Sequence, residues 1–316
     1  MPTRPVVVVT EGGDAKPMEW LRAQAEVLEI PLDDSRLNAA LARAQGLVVR
    51  TYTKVNDELL NKSPNLKVVG RGGVGLENID VAACRKRSIQ VVYTPDANTI
   101  AVGDFVFGYI LQLIRPYAAF RERTPDPKEF KRLRDTLRGR QLNELTLGIL
   151  GMGRVGRRVG HIAADGFGMR VLYNDIIDVS GQVKFAATSV DKPTLYRESD
   201  ILSLHVTMLP GNENLIGARE LAMMKPDAIL INSSRGEVLD INALADALKN
   251  KNLAGAAIDV FHPEPPPANF PLLGMENVIL TPHMAARTHT AIENMSWVVR
   301  DVIDVLAGKP PRFPAP

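Results

Sequence analysis

The chain has 316 residues, of which 45% are hydrophobic, and this length and composition predict two domains and a sizeable core. Its formal net charge of +2 excludes a general electrostatic attraction to nucleic acid or to a membrane surface. The single cysteine, Cys84, excludes an intramolecular disulfide and a cysteine-rich zinc site, and we expect no bound metal.

The beginning of the chain shows no targeting signal. Residues 1–5 precede only a run of four valines, which is too short for the apolar core of a signal peptide. The longest clearly apolar stretch, residues 105–114, is too short to cross a bilayer. We therefore expect a soluble cytoplasmic protein without a membrane partner.

Short apolar runs rich in β-branched residues alternate with helix-like segments, which is typical of buried parallel strands in a doubly wound α/β architecture. The first predicted strands are residues 6–9, 46–49, 66–69 and 90–93. A linking helix is predicted over 99–117, and a solvated loop with a short helix over 121–140. Later strands are predicted at 146–150, 170–173, 201–206, 228–232, 255–260 and 278–280. The final helix, predicted over 288–307, is compatible with either domain.

A glycine-rich segment, Gly151-Met152-Gly153-Arg154-Val155-Gly156, lies between a predicted strand and a predicted helix. In such a turn the first glycine permits the tight bend, the second lets a pyrophosphate approach the backbone, and the third lets the helix pack closely. The N–H groups at the start of the helix then bind the phosphates. Asp175 follows at the end of the next apolar run, where a carboxylate accepts hydrogen bonds from the adenosine ribose. The carboxylate of Asp175 disfavours a 2′-phosphate, so the segment predicts a site for NAD rather than NADP.

Three polar residues each follow a buried-type strand, namely Arg235, Glu264 and His283. Because the carboxyl ends of parallel strands form the ligand crevice, we expect the three side chains near one nicotinamide. An imidazole can take a hydroxyl proton as a hydride leaves, and a buried glutamate beside it would stabilise the imidazolium. A forked guanidinium suits a carboxylate or a polarised carbonyl oxygen. The set predicts hydride transfer at an alcohol carbon.

Each of these residues has a structural alternative. Arg235 is also compatible with an ion pair, Glu264 with a solvated proline-rich turn, and His283 with a satisfied loop histidine. Of the other histidines, His205 ends a predicted strand and is expected to line the cofactor crevice.

With these motifs the chain resembles the D-isomer-specific 2-hydroxyacid dehydrogenases, and most of all their phosphoglycerate dehydrogenase branch. The resemblance runs nearly from end to end and includes the motifs at 232–236, 259–265 and 281–283. It implies two doubly wound parallel-sheet domains, in which a Rossmann-type NAD domain is inserted into a flavodoxin-like substrate domain. The expected boundaries are 1–98 plus 287–316 for the discontinuous substrate-binding domain and 99–286 for the NAD-binding domain.

The resemblance also implies a function. It implies NAD-dependent interconversion of a D-2-hydroxyacid and its 2-oxoacid, with 3-phosphoglycerate and 3-phosphohydroxypyruvate as the leading pair and a place in serine biosynthesis. It further implies a homodimer formed mainly by the NAD domains. Two alternatives remain open: a glyoxylate or hydroxypyruvate reductase that uses the same three residues, and an NAD-sensing binding protein like the transcriptional corepressors of the family.

The resemblance assigns roles residue by residue. Arg235 binds the substrate carboxylate or carbonyl, His283 is the acid/base, and Glu264 is its partner. Together with the glycine segment, it predicts the cofactor-binding residues Gly151, Gly153, Arg154, Val155, Gly156, Asp175, His205, Thr207, Ser233, Ser234, Asp259 and Ala286.

The N-terminal domain contributes the remaining predicted contacts. The segment 69–75 resembles the glycine loop of the family, whose successive N–H groups hold the substrate carboxylate. Arg50 and Arg71 match positions that meet the substrate phosphate in the phosphoglycerate branch, and surface ion pairing is the alternative for both. The predicted substrate-binding residues are Arg50, Arg71, Gly73, Val74 and Asn98.

Some positions depart from the pattern of the family. Gly103-Asp104 stands where the family usually has Ala-Glu, and Met284-Ala285-Ala286 replaces a glycine-rich stretch. Gly103 and Gly108 indicate close backbone contact on the linking helix, either within the chain or with another subunit. The chain ends at Pro316 without a C-terminal regulatory domain, so we expect no feedback control by serine through such a domain.

Overall fold

The computed structural model describes residues 4–115 and 127–316, and the chain divides into two compact units. The first unit comprises Met1–Asn98 and Ala286–Pro316, and the second comprises Thr99–Ala285. Ala286 therefore lies in the first unit, whereas the sequence placed it at the end of the second. Parts of two predicted elements, residues 116–117 of the linking helix and 121–126 of the solvated loop, lie outside the described residues.

Five parallel strands form the sheet of the first unit, in the order β2-β1-β3-β4-β5. They are β1 (Val6–Val9), β2 (Glu26–Glu29), β3 (Gly46–Val49), β4 (Val68–Arg71) and β5 (Gln90–Tyr93). The central strands are in register, with Val7 beside Gly46 and Gly46 beside Val68. The order reverses between β1 and β3, which is the flavodoxin-like arrangement.

Seven parallel strands form the sheet of the second unit, in the order β12-β11-β10-β9-β6-β7-β8. They are β6 (Thr146–Leu150), β7 (Arg170–Asn174), β8 (Thr188–Ser189), β9 (Ile201–Leu204), β10 (Ile229–Asn232), β11 (Gly255–Ile258) and β12 (Val278–Leu280). The chain winds outward from β6 in both directions, so the switch point lies between β6 and β9. The predicted fold class of two doubly wound parallel sheets, one of them Rossmann-type, is confirmed.

Helices connect the strands and cover both faces of each sheet. They are α1 (Ala15–Gln24), α2 (Leu37–Arg43), α3 (Asp57–Asn61), α4 (Val81–Lys86), α5 (Thr99–Ile114), α6 (Pro127–Thr136), α7 (Arg154–His161), α8 (Lys192–Glu198), α9 (Ala218–Leu221), α10 (Ile241–Lys249), α11 (His289–Ser296) and α12 (Val298–Leu306). A π-helical turn, Ile162–Gly166, extends α7. Within the described ranges, no helix is long and apolar enough to cross a membrane.

The C-terminal segment packs on the sheet of the first unit, which resolves the question that the sequence left open. Buried valines of α12, including Val302, lie against the sheet, and Gly46 and Gly70 leave room for them. A Cβ atom at Gly70 would come within 2.5 Å of Val302. The single predicted helix is two helices that meet at Trp297, whose ψ of −1° departs from the helical value. Just before this junction the Ser296 hydroxyl donates to the Ile292 carbonyl at 2.8 Å.

The differences between predicted and observed strands lie at sheet edges and strand ends. The sequence missed β2 and β8, which are both edge strands. β2 has exposed glutamates at its two ends, and β8 has only two residues, both exposed. Neither forms the continuous apolar run that identifies a buried strand. β4 begins at Val68 rather than at 66, and β9 ends at Leu204 rather than at 206.

Candidate active site

The glycine turn after β6 shows why each of its glycines is needed. Gly151 has a φ of +94°, and a Cβ atom there would lie 2.7 Å from the carbonyl oxygen of His205. A Cβ atom at Gly156 would overlap the carbonyl of Gly151. Gly153 differs, because its φ is −67° and a Cβ atom would meet no described atom within 4 Å. The first and third glycines thus serve the packing of the protein, while the second leaves open space beside the turn.

Helix α7 begins at this turn with Arg154 and Val155 in its first positions. Its N-cap residue, Gly153, has no side chain, so no side chain caps the N–H groups of the first helical turn. At the end of β7, Asp175 accepts the Met152 N–H at 2.7 Å and the Ile177 N–H at 3.2 Å. An ionised carboxylate has further acceptor sites, so both contacts are compatible with hydrogen bonds from ribose hydroxyls.

Other predicted cofactor residues follow β9 and β10. The Ser233 hydroxyl oxygen is buried without a hydrogen-bond partner in residues 4–115 and 127–316, whereas the Ser234 hydroxyl donates to Asn232 at 2.9 Å. His205 contacts the Ser203 hydroxyl at 2.8 Å, and burial lowers the pKa of His205 to about 4, so its ring is neutral at pH 7. Thr207 is exposed. The open turn, the uncapped helix and the unpartnered hydroxyl fit a bound dinucleotide.

Glu264 and His283 form a carboxylate–imidazole pair. The Nδ1 atom of His283 lies 2.9 Å and 3.1 Å from the two carboxylate oxygens, and Glu264 also accepts the Phe261 N–H at 3.0 Å. The Glu264 side chain is 29% exposed, so our expectation of a buried glutamate was wrong. It lies in a surface turn that follows β11, where the backbone and His283 rather than a closed pocket hold it.

The ionisation of Glu264 follows from its contacts. Partial burial would raise the pKa of Glu264, but the hydrogen bond and charge of His283, the Phe261 N–H and the charge of Arg235 together lower it below 4.5. Glu264 is therefore ionised at neutral pH. An ionised carboxylate only accepts hydrogen bonds, so Nδ1 of His283 carries a proton and donates it to Glu264. The other ring nitrogen, Nε2, then remains for proton exchange.

Two buried polar residues at strand ends hold the loops that carry Arg235 and His283, and the sequence did not identify this role. Asn232 donates to the Arg235 carbonyl at 2.8 Å and accepts the Ser234 N–H at 3.0 Å. Asp259 accepts the N–H groups of Met284 and Ala285 at 2.8 Å and 2.9 Å. Both residues have no exposed surface. Their signal in the sequence is a polar residue directly after or within an apolar run, which predicts a satisfied buried group.

The predicted substrate residues of the first unit lie after β3, β4 and β5. The Glu11 carboxylate accepts the backbone N–H groups of residues 50–53 and so fixes the loop that carries Arg50. Arg71 donates to the Gly72 carbonyl at 2.6 Å. Gly73 has a φ of +154° and Val74 is half-buried. The Asn98 side-chain oxygen is buried and lacks a hydrogen-bond partner within the described chain.

The unusual Gly103-Asp104 pair accommodates Arg158 of α7. A Cβ atom at Gly103 would lie 2.6 Å from Arg158 Cγ, and Asp104 pairs with the Arg158 guanidinium at 3.2 Å. The close approach that Gly103 indicates therefore occurs within the chain. At Gly108 a Cβ atom would meet no described atom within 4 Å.

The Rossmann-type sheet with this glycine turn and strand-end acid defines a dinucleotide-binding protein. Residues 107–285 match the model of the D-isomer specific 2-hydroxyacid dehydrogenase, NAD binding domain. The chain is 35% identical over 309 residues to a D-3-phosphoglycerate dehydrogenase of Synechocystis sp., covering 97% of this chain and 55% of that protein. It is 38% identical over 273 residues to an (S)-sulfolactate dehydrogenase of Chromohalobacter salexigens, covering 85% of this chain and 86% of that protein.

A solved structure is also similar over the whole chain. The TT0316 protein from Thermus thermophilus has a TM-score of 0.88 and 31% identity, covering 98% of this chain and 100% of that one. The chain therefore belongs to the D-isomer specific 2-hydroxyacid dehydrogenase family, and its cofactor is NAD. It spans only 55% of the length of the Synechocystis relative.

Gly153→Ala is expected to weaken NADH binding by about tenfold or more, because the added methyl group enters the space that a pyrophosphate needs. The thermal unfolding temperature is expected to change little, since no described atom lies within 4 Å of the new Cβ. Fluorescence titration with NADH and thermal unfolding measure the two effects. Gly181→Ala, at a second glycine with open space, is the control. Unchanged NADH affinity in Gly153→Ala would place the pyrophosphate elsewhere.

Proposed function

We propose that this protein interconverts a D-2-hydroxyacid and its 2-oxoacid with NAD, and that His283 transfers the proton. The observation that carries this proposal is the contact of 2.9 Å between His283 Nδ1 and Glu264. This contact orients the imidazole and leaves its Nε2 atom available for acid/base catalysis. A protein that only senses NAD would have no need of this pair. Formation of a homodimer stays a prediction.

The residues of this chain divide the chemistry among them. NAD, when bound, accepts or supplies the hydride. In the oxidative direction His283 Nε2 takes the proton of the substrate hydroxyl group, and in the reductive direction it returns that proton to the oxo oxygen. Glu264 stabilises the positive charge that His283 gains. Arg235 binds the substrate carboxylate and orients the carbon that reacts, while Asn232 fixes the backbone of Arg235 at 2.8 Å.

We further propose that the substrate carries a second, strongly acidic group, which Arg50 binds. Arg50 is half-buried, and in the described ranges no hydrogen bond or ion pair involves its guanidinium. Burial lowers the pKa of Arg50, and repulsion from the nearby Arg287 lowers it further, against an opposing effect of Glu11. A bound dianion would relieve this repulsion, because it would lie between two positive charges.

The named activities of two relatives are consistent with this second group. One is a D-3-phosphoglycerate dehydrogenase and the other an (S)-sulfolactate dehydrogenase, so the one substrate has a phosphate and the other a sulfonate. We propose 3-phosphoglycerate and 3-phosphohydroxypyruvate as the substrate pair, which would give the protein a role in serine biosynthesis. Arg71, whose guanidinium donates to the Gly72 carbonyl, stays a predicted contact to the same acidic group.

The test is NADH oxidation by the purified protein with 3-phosphohydroxypyruvate, 3-sulfopyruvate, hydroxypyruvate and glyoxylate compared side by side. We expect the highest kcat/KM with 3-phosphohydroxypyruvate. A preference for 3-sulfopyruvate would support a second acidic group on the substrate but identify that group as a sulfonate. A preference for hydroxypyruvate or glyoxylate would refute the second acidic group. Absence of turnover with all four would refute the enzymatic function.

Arg50→Ala is expected to raise the KM for 3-phosphohydroxypyruvate by about 10- to 100-fold, as the loss of a charged hydrogen bond predicts. The KM for glyoxylate, which has no second acidic group, is expected to change little. Arg287→Ala should act in the same direction with a smaller effect, because its side chain is exposed. Arg43→Ala, which removes an exposed arginine of the same unit, is the control. Equal effects of Arg50→Ala on both substrates would contradict the assignment.

A further inference from the structure

We propose that Tyr109 is a positioning residue for the acid/base His283 and acts through Thr281 and Asp259. The proposal rests on the role of His283 in the proposed function. Tyr109 lies on α5, far in sequence from the loop that carries His283, and neither the glycine turn nor the three catalytic residues require it. The observation that carries the proposal is a buried chain of hydrogen bonds from the Tyr109 hydroxyl to the backbone around His283.

The first part of this chain joins Tyr109 to Asp259. The Tyr109 hydroxyl forms a short hydrogen bond with the Thr281 hydroxyl and lies 3.4 Å from Asp259 Oδ1. Thr281 Oγ1 lies 2.5 Å from the same carboxylate oxygen. A hydroxyl group has only one proton, and the carboxylate can only accept. Thr281 therefore donates to Asp259, and Tyr109 donates to Thr281.

The second part joins Asp259 to His283. The two carboxylate oxygens accept the N–H groups of Met284 and Ala285, and the Asp259 carbonyl accepts the His283 N–H at 2.8 Å. His283 has a φ of +51°, in the left-handed region that residues other than glycine seldom adopt. Such a conformation persists only where the surrounding contacts enforce it. The contacts of Asp259 on both sides of His283 supply this enforcement.

Asp259 in turn depends on its donors, because it has no exposed surface and water cannot replace them. Its described partners are hydroxyl and backbone N–H groups. Burial raises the pKa of Tyr109, so its hydroxyl stays protonated over the whole working pH range and remains a donor. Without Tyr109, the Thr281 hydroxyl loses the partner that orients it, and the loop from 281 to 285 loses part of its support.

Tyr109→Phe removes the hydroxyl group and keeps the ring. The ring packs edge-on against Phe105 at 4.7 Å between centroids, so the packing of α5 is expected to remain. A matched control exists, because Tyr196 is also buried in the second unit, and its hydroxyl has no hydrogen-bond partner among the described residues. Tyr196→Phe therefore removes a buried hydroxyl group that supports no loop.

In the full chain, Tyr109→Phe is expected to lower kcat for the preferred 2-oxoacid by about tenfold, as the loss of one hydrogen bond to the catalytic loop predicts. The KM for NADH and the thermal unfolding temperature should stay close to wild type. The solvent deuterium isotope effect on kcat should rise, since proton transfer becomes slower. Thr281→Val should behave alike, Thr281→Ser should retain activity, and Tyr196→Phe should change nothing. A kcat within twofold of wild type, or a loss matched by Tyr196→Phe, would overturn the proposal.

A second readout does not depend on turnover. The NMR signal of the His283 Cε1–H group, assigned by its absence in His283→Ala, reports the environment of the imidazole. It is expected to shift and broaden in Tyr109→Phe and to stay unchanged in Tyr196→Phe. If wild type turns over none of the 2-oxoacids but the His283 signal still changes in Tyr109→Phe, the proposed function fails and the positioning role stands. If wild type turns over a 2-oxoacid but the His283 signal does not change in Tyr109→Phe, the positioning role fails and the proposed function stands.

Discussion

His283→Ala is expected to lower kcat by about two to four orders of magnitude, which is the usual contribution of a general acid/base. NADH affinity should remain within about twofold, because the residues predicted to bind the phosphates and the ribose are the glycine turn and Asp175, not His283. The measurements are steady-state kinetics with 3-phosphohydroxypyruvate and fluorescence titration with NADH. The expected split between turnover and cofactor binding separates a catalytic role from a structural one.

His289→Ala is the control for this variant, since His289 is an exposed histidine at the start of α11. It should leave both turnover and NADH affinity unchanged. An active His283→Ala protein would remove the proton-transfer role. A variant that has lost NADH binding together with turnover would instead indicate that the loop from 281 to 285 has collapsed.

Glu264→Gln is expected to lower the rate of 2-oxoacid reduction by roughly 100-fold, because an amide cannot stabilise the positive charge on His283 as a carboxylate does. Reduction requires the imidazolium and oxidation the neutral imidazole, so the reductive direction should lose more. The pH optimum for reduction should move to lower pH. Rates in both directions measured between about pH 5 and pH 9, a range that spans the titration of an imidazole, test this result.

Glu264 itself does not titrate in this pH range, because its pKa is lowered. The carboxylate is ionised above this pKa, so its contact with His283 is complete at pH 7 and is lost only as the pH falls through a value below 4.5. Glu237→Gln is a matched control, because Glu237 lies 3.2 Å from Nδ1 of His262 in the same unit. It should leave the pH profile unchanged, and an unchanged profile in Glu264→Gln would contradict the assignment.

The sequence by itself determined the features that depend on neighbouring residues. The turn around Gly151 and Gly153 could be recognised because its conformation is set by residues adjacent in the sequence. The central strands could be recognised because burial on both faces requires continuous apolar runs. The pairing of Glu264 with His283 could be expected because parallel strands bring their carboxyl ends to one edge of the sheet.

Only the tertiary structure decided which distant side chains meet. The edge strand β2, with its exposed ends, is defined by its pairing with β1 and not by its own composition. Tyr109 contacts Asp259 although the two are 150 residues apart in the sequence, and Arg158 fills the space that Gly103 leaves. A sequence pattern reports periodicity and local propensity, whereas these contacts depend on how helices pack on a sheet. For this reason the sequence predicted the glycine turn, whereas the contacts of Tyr109, Thr281 and Asp259 beside His283 became known only from the structure.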